Sequence, residues 1–267
     1  MNIYVDLTNC FNAGRVRAVL SSGQAVVLHR LAIMSKDGDW IVREDDEALS
    51  HILRELGRRG ARYRFGAPLD KRWLSEGWSS HFEFMNESLR IRTDFVSRPP
   101  RIGAERLARI WVEQEHRALP FVDIVDLADL KKTNRERDYA VIGELARRMG
   151  AMEDKARYSR SAREILDICV EHRSMLELIL QERGIGSDAL QNLELLEVAL
   201  DAERRRLMHA NERRLARFAD AAVKWSGVWK DVERQLSGMP LHEAHRVIVS
   251  RAEGILPFRI ADEANHG

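Results

Sequence analysis

Three carboxylates stand where a shared cation would be needed. Asp37 and Asp39 are two apart in Lys36-Asp37-Gly38-Asp39-Trp40-Ile41-Val42, whose apolar end and alternating acids predict a strand with both carboxylates on one side. Asp94 lies near the end of the second arm of a predicted β-hairpin, residues 81–85 and 89–96 around the polar turn Asn86-Glu87-Ser88, an arm that can pair beside that strand. Three acids on one sheet face repel one another unless a divalent cation neutralises them, and an oxygen-only donor set suits Mg2+ or Mn2+. The chemistry expected there is metal-assisted phosphoryl or nucleotidyl transfer, with two ions holding the attacking and leaving oxygens in line.

The flanking sequence predicts the elements that would position these acids. A short strand at 16–20, a turn at Ser21-Ser22-Gly23 and a short helix over 24–31 precede the acid strand. Asp45 or Asp46 is placed to cap a helix from Glu47 to about Gly57, with Leu49, Ile52, Leu53 and Leu56 on one face. Residues 62–65 read as another strand, and Pro99-Pro100 closes the hairpin because proline cannot donate to a ladder. After a short edge strand at 120–122 the pattern becomes helical: Asp126 caps 127–132, and helices follow over 136–149 and 161–183. Residues 187–236 contain no proline and carry an apolar stripe through Leu196, Leu200, Leu207, Phe218, Trp225 and Trp229. They predict one very long helix, or two broken near His209-Ala210-Asn211 or at Gly227.

These motifs resemble the nucleotidyltransferase fold of the DNA polymerase β superfamily, in particular its small bacterial branch of AbiEii-type toxins. Ser22-Gly23-Gln24-Ala25 is similar to the family's glycine turn, Ser35 to Trp40 to its acid pair, and Arg92-Thr93-Asp94-Phe95 to its third acid. Asp126 to Lys132 and Arg135 to Asp138 are similar to the branch's lysine and arginine-aspartate motif, so the likeness covers about residues 15–150. It departs at Ser22, where the family has glycine, and at Gly38, where it has a hydrophobic residue. The resemblance implies an α+β fold: a nucleotidyltransferase-type mixed sheet flanked by helices over 1–120, then a helical region with a long helix over 121–267. It implies Asp37, Asp39 and Asp94 as metal ligands and catalytic groups, Ser22, Gly23 and Lys131 or Lys132 as phosphate contacts, and Mg2+ (or Mn2+) with an NTP as substrate. The acceptor would be RNA, a protein hydroxyl or a small molecule, and a toxin of a toxin-antitoxin pair would fit.

Composition narrows the alternatives. Of 267 residues 45% are hydrophobic, and 43 Lys+Arg offset 42 Asp+Glu to a net charge of +1, so a folded chain without global attraction to nucleic acid is expected. No apolar run is long enough to span a membrane and no export signal is visible, which points to the cytoplasm. Cys10 and Cys169 fit neither a disulfide framework nor a zinc spacing. Arg90, Arg92, Arg98, Arg101, Arg106 and Arg109 can hold a triphosphate or an RNA backbone, or simply form a solvated face. His29 reads as a core histidine, Glu203 to Arg206 as the wet side of the long helix, and Trp225 and Trp229 as core or partner surface. A rival reading keeps the fold without catalysis, the helical half serving as a homodimer or docking surface.

Overall fold

The computed structural model describes residues 2–260 and is α+β. The chain divides into two compact units, residues 1–122 with 216–267, and residues 123–215.

The first unit holds five strands: β1 (Ala18–Ser21), β2 (Asp37–Val42), β3 (Arg62–Tyr63), β4 (Ser80–Asn86) and β5 (Leu89–Val96). They form one sheet in the order β1-β2-β5-β4-β3, antiparallel throughout except that β2 and β5 run parallel. Its helices are α1 (Ile3–Phe11), α2 (Ser22–Leu28), α3 (Asp46–Gly57), α4 (Lys71–Leu74) and α5 (Ala104–Gln114). The second unit comprises α6 (Ile124–Leu130), α7 (Glu136–Arg148), α8 (Met152–Tyr158), α9 (Ala162–Glu182), a 3-10 turn at Ser187–Gln191 and most of α10 (Leu193–Ala221). The closing helices α11 (Val223–Leu236) and α12 (Leu241–Glu253) belong to the first unit.

Alternation along the strands makes the sheet one-sided. In β5, Ile91, Thr93 and Phe95 are buried while Arg90, Arg92 and Asp94 are not, and in β4 Phe82 and Phe84 alternate with His81 and Glu83 in the same way. The apolar face stacks Trp40 on Phe95 at 5.4 Å and packs both against Phe11. Full burial of each such side chain contributes on the order of 1.5–3 kcal/mol. The core continues into Trp225, Trp229 and Val232 of α11 and Leu241 and Ile248 of α12. Buried indoles keep their N–H groups satisfied: Trp225 donates to the Gly66 carbonyl at 2.9 Å and Trp73 to that of Leu256 at 3.1 Å.

Several local expectations are refined. Asp45, not Asp46, caps α3 by accepting from the Ala48 N–H. Asp123, not Asp126, caps α6, and Asp126 is buried inside the first turn, its N–H donating to Asp123 Oδ1. The predicted long helix exists as the 29-residue α10, and the break falls at Ala222. Asn211 does not end it, because its side chain donates to the Leu207 and Lys132 carbonyls while the helix runs on. The C-terminal region is helical as expected, with only helices and a 3-10 turn from Ile124 to Glu253, and its residues 216–260 group with the sheet, where the tryptophan stripe of α11 completes the core. Helices α1 and α5 are additional; α1 buries Tyr4, Leu7, Thr8 and Phe11 at helical spacing.

Gly38 is explained by this packing. A Cβ there would lie 2.4 Å from the Trp40 ring and 2.5 Å from that of Tyr4, so the aromatic pair supplies the bulk that a side chain between the two acids would otherwise supply. Gly38→Ala is expected to destabilise the fold by about 1–3 kcal/mol through overpacking, read from the midpoint of urea unfolding.

Candidate functional site

The polar face of the sheet carries one row of aligned side chains across four strands. Ser21 of β1 is paired with Asp39 of β2, Asp39 with Asp94 of β5, and Asp94 with His81 of β4. Partners in a ladder point to the same face, and so does Asp37, two residues before Asp39. The structure therefore brings Asp37, Asp39 and Asp94 together on one surface, all three half-buried. Their shared electrostatics is visible at Tyr4, whose phenol is pushed up to about 12 by burial and then by the charges of Asp37, Asp39 and Asp94. Tyr4 donates to the Lys36 carbonyl at 2.5 Å, holding the start of β2.

The Ser22-Gly23 turn follows Ser21 directly and opens α2, whose first turn has no side-chain cap. Ser22 adopts φ +50, the left-handed region that glycine occupies without strain. Gly23 is required by proximity: a Cβ would lie 2.2 Å from Ser35 Oγ and 3.0 Å from Ser35 Cβ. The turn and the acid strand are thus in contact, and Gln24 fastens them by donating to the carbonyls of Ser35 at 3.0 Å and Asp37 at 3.3 Å.

Asp94 does not pair with Arg90 or Arg92. Its Oδ1 accepts from Arg64 Nη1 at 3.2 Å and from His81 Nδ1 at 2.7 Å, so cationic and imidazole donors balance part of the acidic charge. Both bonds fall on Oδ1, so neither engages Oδ2. With Asp94 held toward these donors, the three acids are not among the groups of described residues whose ligand atoms already lie within 4.8 Å of one another. The donor set still fits a hard divalent cation, being carboxylate oxygens on a polar, half-exposed face.

The other sequence candidates resolve differently. Lys131 and Lys132 belong to the second unit and are engaged there. Lys131, buried, pairs with Asp138 at 3.3 Å, while Lys132 pairs with Asp129 at 2.6 Å and lies over the Tyr158 ring. Burial pulls the Lys132 ammonium below its ordinary pKa against the opposing charge of Asp129. Arg135 also binds Asp138, so the lysine and arginine-aspartate motif forms an internal ion-pair cluster. Three of the six arginines of the run are committed to surface pairs, Arg98 with Glu44, Arg106 with Glu113 and Arg109 with Glu105. His29 bonds the Val122 carbonyl at 3.0 Å beside the Phe121 ring. Glu203 is not on a wet face: it is buried between Arg160 and Arg183.

No family model matches the chain, and no curated protein matches it. It is similar to a solved structure described as the "crystal structure of putative nucleotidyltransferase from H. pylori": 12% identical, covering 79% of this chain and 96% of that one, with a TM-score of 0.40.

Two measurements follow from this geometry. Ser22→Gly relieves the left-handed strain at the cost of some chain entropy, and is expected to stabilise the fold by about 0.5–1 kcal/mol in a urea melt. The second concerns pH. Burial would raise the carboxyls of Asp138 and Glu203, but hydrogen bonds and charges from Thr133 and Lys131, and from Arg183 and Arg160, outweigh it and hold both below their ordinary values. Acids lowered by folding give stability that is complete above the unfolded values near about 4 and is lost as pH falls through the folded ones. Acid titration of stability should therefore fall away below about pH 4, and Asp138→Asn should flatten that slope.

Proposed function

We propose that the chain is a divalent-metal-dependent nucleotidyltransferase acting on a nucleoside triphosphate. The observation that carries this reading is the row Ser21, Asp39, Asp94 and His81 with Asp37 beside it, immediately next to the Ser22-Gly23 turn. Carboxylates aligned in this way on the polar face of a sheet, fed by a tight strand-to-helix turn, suit a metal-bound triphosphate.

In this reading Asp37, Asp39 and Asp94 would hold Mg2+ (or Mn2+), which when bound supplies charge neutralisation at the phosphates. The Ser22 and Gly23 backbone amides contact the phosphate oxygens, an approach that the missing side chain at Gly23 permits. Gln24 and Tyr4 keep the turn and the acid strand in register by gripping the backbone of residues 35–37. Arg64 and His81 fix the carboxylate plane of Asp94. The acceptor in this proposal is an RNA, a protein hydroxyl or a small molecule, and a toxin role belongs with it. Of the apolar stripe that favours a non-catalytic docking reading, Trp225 and Trp229 are spent within the core of the first unit. No helix among the described residues is long and apolar enough to cross a membrane.

The test is a melt with nucleotide beside a transfer assay. NTP with Mg2+ is expected to raise the melting temperature, since a ligand selective for the folded state stabilises it by mass action. Asp39→Asn should abolish both that shift and the transfer of labelled nucleotide to acceptors in an extract. In EDTA the variant should melt no lower than wild type, because relief of like-charge repulsion offsets lost contacts. A variant that melts far lower and still transfers nucleotide would overturn the assignment.

A further inference from the structure

One partner of Asp94, His81, continues into a hydrogen-bonded chain of which the metal-binding reading uses only the end that orients the carboxylate. Ser79 Oγ lies 2.9 Å from His81 Nε2, and His81 Nδ1 lies 2.7 Å from Asp94 Oδ1. The proton positions follow from the groups themselves. An ionised carboxylate only accepts, so Nδ1 of the neutral ring carries the hydrogen; Nε2 is then an acceptor, and the serine hydroxyl must donate to it. This is the arrangement in which an imidazole, oriented by a carboxylate, withdraws the proton of an attacking hydroxyl.

The fold holds the chain in place from both ends. Backbone bonds from Arg64 N to the His81 carbonyl at 2.9 Å and from Ala67 N to the Ser79 carbonyl at 3.0 Å fix His81 in β4 and Ser79 immediately before it. Gly66 lies against the imidazole so closely that a Cβ there would come within 2.5 Å of His81 Cδ2, and the ring therefore rests on bare backbone. Arg64 fixes the Asp94 carboxylate from the other side. Ser79 itself is partly exposed.

We infer that Ser79 is a nucleophile activated by His81 and Asp94, and that it takes a nucleotide from a nucleoside triphosphate as a self-modification of the chain. This rests on the nucleotidyl-transfer reading of the same face. In the step, Ser79 Oγ forms a bond to the α-phosphorus and the α–β phosphoanhydride bond breaks. Pyrophosphate leaves with the electron pair, and the serine proton passes to His81 Nε2, the resulting imidazolium being held by Asp94.

Two probes test this on the full chain. The first is each NTP with Mg2+, followed by intact mass and peptide mapping; the second is a fluorophosphonate, whose phosphorus accepts an activated serine and expels fluoride without any metal or nucleotide. The expected result is one nucleoside monophosphate on Ser79, fluorophosphonate labelling at the same residue, and loss of both in Ser79→Ala. His81→Gln should slow both reactions by about a hundredfold or more in protein whose melt shows it folded. A folded wild-type chain whose Ser79 resists fluorophosphonate would overturn the inference whatever happens to nucleotide. Transfer of nucleotide to extract acceptors with Ser79 left unmodified would also overturn it, while leaving the nucleotidyltransferase reading intact. Fluorophosphonate labelling of Ser79 with no nucleotide transferred anywhere would retain the activated serine and remove the nucleotide as its partner.

Discussion

The parallel register between β2 and β5 is the constraint on which the site depends. Side chains on a strand alternate, so sliding one strand by a single residue would turn Asp94 into the aromatic core and Phe95 out to solvent. The stack of Trp40 on Phe95 fixes the register from the apolar side, and the pairing of Asp39 with Asp94 is its consequence on the polar side. The core and the candidate site are therefore two faces of one decision. The same logic accounts for Gly38: on the buried face between the two acids, the rings of Trp40 and Tyr4 occupy the space a side chain would need.

Three carboxylates on one face carry a repulsion that the surrounding residues must answer. The answer is uneven. Asp94 is bound by Arg64 and His81, and all three acids act on Tyr4, which stays a neutral phenol and donates to backbone.

The second unit shows a different use of charge. Its apolar cluster of Ile165, Leu176, Leu180 and Leu196 is joined by buried ion pairs, Glu203 with Arg160 and Arg183, and Asp138 with Lys131. Such pairs cost desolvation and give little net stability, but removing one partner strands a buried charge. They specify how α6 meets α7, and how α10 meets the ends of α9, more than how tightly. A helix face rich in Glu and Arg can therefore be an interior surface, and Glu203-Arg204-Arg205-Arg206 divides between the two: Glu203 is buried while Arg205 and Arg206 are exposed.

The sequence alone determined the elements whose signals are local. The acid strand, the hairpin, the α3 helix and a helix of more than 25 residues were legible because period two, period 3.6 and capping side chains act over a few residues. His81 was within reach too. A two-residue turn at Glu87-Ser88 places Asn86 opposite Leu89 and hence His81 opposite Asp94; a three-residue turn would have placed Ser80 there, and Glu87 at φ +56 selects the former. What the sequence could not give was any relation set by packing between distant segments. The β2–β5 register, the reach of Arg64 to Asp94 and the return of residues 216–260 to the sheet all fall in this class. Each joins residues that are far apart in sequence or alike in composition to many others, and the choice among equivalent partners is made by which apolar faces can be buried together.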